Sequence, residues 1–68
     1  MQIFSIRLRE LRKEAGLSQK QVAEKLNMRQ QSYAQYESNV SEPNLETLAK
    51  IARIFQVSTD YLIGLNDY

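Results

Sequence analysis

The sequence predicts an all-α fold of five short helices. Three observations carry that expectation: apolar residues recur at spacings of three and four with almost no strand-like alternation, good helix caps stand where several of these runs begin, and glycine or asparagine stands where several end. Sixty-eight residues allow one domain, read as 1–68 with an ordered core over about 4–64. A chain this short buries only about 60% of the surface its unfolded form exposes. It has neither cysteine nor histidine, so no disulfide framework or zinc site is expected. Packing alone must supply the core, with or without a second subunit.

Phe4, Leu8, Leu11 and Ala15 recur at i, i+4, i+7 and i+11, one face of a first helix. Arg7, Arg9, Glu10, Arg12, Lys13 and Glu14 fill its other faces, and Gly16 stands where a left-handed stop belongs. Ser18 and Gln21 have the spacing of a capping box, with Leu17 and Val22 placed as a hydrophobic staple. A second helix therefore starts at Ser18, presents Val22, Ala23 and Leu26, and ends at Asn27, a residue tolerant of the left-handed conformation.

After the short Asn27–Arg29 turn, a third helix is expected over Gln30–Glu37, with Tyr33 and Tyr36 on one side and Gln30, Gln31, Ala34 and Gln35 away from them. Ser38–Pro43 reads as a loop. Asn44 caps a fourth helix whose apolar positions are Leu45, Leu48, Ile51, Ala52 and Phe55. Val57, Ser58 and Leu62 repeat the staple and cap for a fifth, which Gly64 stops.

The tight unit is Gln19–Tyr36. Two helices joined by three residues cross steeply and need a small side chain at the crossing, which Ala23 supplies. Leu17-Ser18-Gln19, Val22-Ala23-Glu24-Lys25-Leu26, Tyr36-Glu37 and Glu42-Pro43-Asn44-Leu45 resemble the five-helix, lambda-repressor-like DNA-binding domain of the phage repressor and Cro (XRE) family. The resemblance runs from about Phe4 to Gly64. It implies a helix-turn-helix formed by helices 2 and 3, with helix 3 in the major groove of double-stranded DNA. Gln30, Gln31 and Gln35, with Ser32, are then similar to the glutamine reading head of a lambdoid phage repressor.

The same comparison implies that Ser18 and Gln19 hold a phosphate at the start of helix 2, joined by Lys20 and Arg29. It also implies that Arg12 and Glu37 form an ion pair that places the recognition helix. The pair is expected to be partly exposed and to add little net stability. Glutamine chemistry agrees with base reading, since one amide donor and one acceptor match adenine N7 and N6. Tyr33 and Tyr36 could stack on single-stranded bases. Their spacing favours the core, with each hydroxyl reaching the surface.

Two departures from the family pattern matter. Arg29 stands at the start of helix 3, where relatives often carry a capping Ser or Thr, and a guanidinium cannot accept from the helix amides. The loop from Ser38 to Glu42 holds no lysine or arginine, where several relatives are basic. If each subunit neutralises about three phosphates, a dimer gives a log–log salt slope near −5. One module reads too few base pairs to find a genomic site, so a homodimer on a palindromic operator is expected, with Tyr61, Leu65 and Tyr68 as its candidate interface.

The function expected is a transcription regulator, a repressor in first place, bacterial or phage-encoded, cytoplasmic and nucleoid-associated, with no cofactor or metal. An antitoxin-type interaction module that binds its own promoter, and the N-terminal part of a longer repressor, are the alternatives. An enzyme is disfavoured. No imidazole is present for triad chemistry, and the carboxylate pairs Glu10/Glu14 and Asp60/Asp67 read as solvated faces. Met1–Ile6 is apolar but broken at Arg7, so no secretory signal is read, and no stretch approaches the roughly 20 apolar residues of a membrane span.

A net charge of +1 at first argues against nucleic acid. Its distribution removes the objection: residues 1–34 carry seven basic and three acidic side chains, residues 35–68 two basic and five acidic. Positive charge therefore gathers on the half expected near DNA, and the acidic half faces away or toward a partner.

Overall fold

The computed structural model describes residues 1–68. It contains five helices and no strand: α1 (Gln2–Glu14), α2 (Gln19–Lys25), α3 (Gln30–Glu37), α4 (Leu45–Phe55) and α5 (Thr59–Leu62). The starts follow the capping logic of the sequence. Ser18 accepts from the Gln21 amide while the Gln21 side chain accepts from the Ser18 amide, closing the capping box. Asn44 caps α4 through the Thr47 amide, and Ser58 caps α5 through the Tyr61 amide. Arg29 makes no side-chain cap, as expected of a guanidinium.

All five helices end in one pattern. A residue with positive φ (Gly16, Asn27, Asn39, Gln56 or Gly64) follows each helix, and the next amide bonds back five residues, as in Met28 N–H to Ala23 C=O at 3.0 Å. This is the Schellman arrangement, which satisfies carbonyls the helix leaves open. Gly16, Asn27 and Gly64 were expected in it. Asn39 and Gln56 were not, and glutamine has no special tolerance for that backbone region.

The core is one cluster that draws on every helix: Phe4 and Leu8 of α1, Val22 and Ala23 of α2 with Leu26 just after it, Tyr33 of α3, Ile51 and Ala52 of α4, and Leu62 of α5. Ala23 is buried where α2 and α3 pack, as the steep crossing requires. Tyr36 stands edge-on to both Phe4 and Tyr33, with ring centroids 6.5 and 6.3 Å apart, a favourable aromatic geometry.

Four sequence expectations need correction, and a fifth needs extending. Ala15 caps the first helix from an exposed position instead of joining its apolar face. The second ends at Lys25, two residues before Asn27. Leu45, assigned to the apolar face of α4, is 83% exposed, because as the first residue of the helix it projects beyond the packed body. The Tyr33 hydroxyl does not reach the surface, since its whole side chain is enclosed and bonds to Glu37. Arg7, read only as filling an outer face of the first helix, packs over the Tyr61 ring and donates to the carbonyls of Tyr61 in α5 and Asn66 beyond it.

Candidate nucleic-acid interface

The site is built from the α2 start and the outer face of α3. Ser18 Oγ takes the Gln21 amide, which leaves the Gln19 and Lys20 amides, first in the helix, without an intrahelical partner. Ser18 and Lys20 are exposed, and Gln19 is half-buried. On α3, Gln30, Gln31, Ser32 and Gln35 are all exposed, while Tyr33 and Glu37 are buried. Arg29, one residue before α3, is exposed too. Four polar, uncharged side chains are thus exposed on a helix whose buried face is fixed.

Glu37 is what fixes it. Its carboxylate accepts two bonds from Arg12, from Nε at 2.6 Å and Nη2 at 3.0 Å, one from the Tyr33 hydroxyl, and one from Gln19 Nε2 at 3.2 Å. Arg12 Nη1 also donates to the Leu17 carbonyl at 2.9 Å. One carboxylate therefore joins α1, α2 and α3. Burial raises the cost of its charge, but the hydrogen bonds from Arg12, Tyr33 and Gln19 outweigh it and hold the carboxyl below its ordinary value. Burial and the bond to Glu37 push the Tyr33 phenol up, so it stays a donor.

The Arg12–Glu37 pairing is as expected, but its setting is not. The Glu37 side chain is only 3% exposed, so the pair is interior, and losing one partner strands a buried charge. Tyr33 is the member that sequence reasoning missed. Its signal was available: a phenol four residues before a glutamate shares a helical face with it, and a buried phenol needs an acceptor.

Gln19, expected on phosphate, has one amide N–H committed to Glu37 and keeps the other. Tyr61, Leu65 and Tyr68, the candidate dimer surface, lie at the far end near α5. Tyr61 is half-buried under the Arg7 guanidinium, 4.3 Å from its ring centre, whereas Leu65 and Tyr68 are exposed. Arg7 was also missed, and no local pattern pointed to partners 54 and 59 residues away. No group of three or more His, Cys, Asp or Glu residues is placed to hold a metal ion. No helix is long and apolar enough to cross a membrane.

Comparison with known proteins gives the same picture. The family described as "Helix-turn-helix" matches residues 8–62. The HTH-type transcriptional regulator ImmR of Bacillus subtilis (strain 168) is 43% identical over 61 residues, covering 90% of this chain and 48% of ImmR. The cryptic phage CTXphi transcriptional repressor RstR of Vibrio cholerae is 34% identical, covering 91% of this chain and 56% of RstR. The crystal structure of a transcriptional regulator from Listeria innocua superposes with a TM-score of 0.85 at 39% identity, covering 90% of this chain and 57% of that one. The chain spans about half the length of the curated relatives it matches. With its five helices, its capped α2–α3 unit and this match, the chain belongs to the repressor/Cro-like (XRE) helix-turn-helix family of transcriptional regulators, which are not enzymes.

Proposed function

We propose that this chain binds double-stranded DNA sequence-specifically and represses transcription as a homodimer on a palindromic operator, with α3 in the major groove. The observation that carries the reading is that α3 is locked to the core through Tyr33 and Glu37 while Gln30, Gln31, Ser32 and Gln35 all stay exposed on it. Eight residues make a helix of about 12 Å, comparable with the width of the major groove. Base contacts need side chains held in place, and the locked inner face supplies that rigidity.

In this reading Gln30, Gln31 and Gln35 bond to base edges, with adenine the natural bidentate partner, and Ser32 supports them. Ser18, Gln19 and Lys20 hold a phosphate at the α2 start, and Arg29 reaches the groove edge. RstR carries the name of a repressor, which favours that sign of regulation. The body measures 28 × 23 × 19 Å, less than one turn of DNA at about 34 Å, so a second copy fits at the next turn of the same face. Tyr61, Leu65 and Tyr68 are the surface assigned to that contact, and the cytoplasm and nucleoid are the setting.

The test is a gel shift on the duplex upstream of the chain's own coding region. The wild-type chain is expected to shift it. Gln30→Ala or Gln31→Ala should weaken the preferred site by about 1–3 kcal/mol while leaving binding to unrelated DNA unchanged. Sedimentation of the full chain against one truncated after Gly64 tests the dimer surface. Failure to bind any duplex at low salt would overturn the proposal in favour of a protein-interaction module.

A further inference from the structure

The Ser38–Glu42 loop has no cation and one carboxylate. Positive charge stands nearby on α1. Arg9 and Lys13, four residues apart and so on one face of the helix, are both exposed, and neither makes an ion pair. They line an open groove of about 210 Å³ with Gln19 of α2 and Ser38 beside α3. The floor of that groove is the Arg12–Glu37 pair.

Charge in the groove follows from those contacts. Glu37 is neutralised by Arg12, whose Nε, Nη1 and Nη2 are already bonded. Arg9 and Lys13 then set the sign, and two like charges one helical turn apart with no counterion of their own favour an anion between them. Ser38 adds no donor, since its hydroxyl already bonds the Ala34 carbonyl. Gln19 keeps its second amide N–H, which can serve as a third donor. Ala34 lines the groove as well, with a side chain too small to fill it.

We infer that Arg9 and Lys13 form a second seat for a backbone phosphate of DNA, on the α1 side of the recognition helix, and so supply the charge that the Ser38–Glu42 loop lacks. The inference rests on the DNA-binding reading above. Its ligand is a phosphodiester of the same duplex, adjacent to the phosphate held at the α2 start, with Gln19 standing between the two seats.

The experiment measures duplex affinity against salt for three proteins: wild type, R9Q/K13Q, and K50Q/R53Q, which removes equal charge from the exposed residues of α4. Glutamine preserves helix propensity. Circular dichroism confirms that each variant folds. The log–log slope of R9Q/K13Q should be smaller in magnitude by about 1 per subunit, with specific and unrelated DNA weakened alike. The K50Q/R53Q slope should equal that of wild type. Equal loss in both variants, or an unchanged slope in R9Q/K13Q with wild-type binding intact, overturns the seat but not the DNA-binding reading. A wild-type chain that binds no duplex overturns both.

Discussion

Arg7 and Arg12 sit on the same helix with nearly equal side-chain exposure, 15% and 13%, yet they hold two very different junctions. Arg12 meets a buried carboxylate that also accepts from Tyr33 and Gln19. Arg7 meets the carbonyls of Tyr61 and Asn66, the face of the Tyr61 ring, and Asp67, a carboxylate in full solvent. The contrast teaches that the cost of breaking an arginine contact is set by the burial of its partner. At the recognition helix the partner charge has nowhere else to go. At the C-terminal end, water can replace almost everything that Arg7 provides.

The largest effect should therefore come from Arg12→Ala, which strands the buried Glu37 carboxylate without its counterion. The cost is about 3–5 kcal/mol, the range for stranding one half of a buried pair. For a domain of this size that is comparable with total stability, and thermal denaturation should show the cooperative transition lowered by more than 10 °C or lost. A loss below 1 kcal/mol would show that the two junctions are alike after all.

Acid should act on the same group. Because the folded state holds the Glu37 carboxyl below its ordinary value, its contribution is fully present above that ordinary value and fades as pH falls through the lower folded one. Melting temperature followed downward from pH 7 should fall in acid, and Glu37→Gln should shrink that dependence while leaving the neutral range flat.

Arg7→Ala should cost less, about 1–2 kcal/mol, from lost carbonyl bonds and the cation–π contact. Hydrogen exchange should quicken over residues 59–66 and not in α3, while Asp67→Asn should change stability by less than about 0.5 kcal/mol. The smallest change is a gain. Arg29→Ser places a capping oxygen at the start of α3 and should raise stability by about 1 kcal/mol in urea titration, while altering DNA affinity. A lower midpoint would mean that Arg29 supports α3 in another way.

Local chemistry accounts for what was legible. The capping residues Ser18, Asn44 and Ser58 and the stops Gly16, Asn27 and Gly64 act over three to six residues, so their roles stand in the sequence itself. The exposure of Gln31 and Gln35 was legible for the same reason, because helical period turns both away from Tyr33. Leu45 misled because periodicity assigns a residue to a face but not to the part of the helix that finds a neighbour.

What the sequence determined by itself, then, is the set of five helices, their caps and the family pattern, all governed by spacing along the chain. Only the tertiary structure decided that Arg7 closes over Tyr61 and that Glu37 gathers three side chains at once. Each of those depends on groups far apart in sequence, and burial, which turns a weak surface ion pair into a structural joint, exists only once the helices have packed.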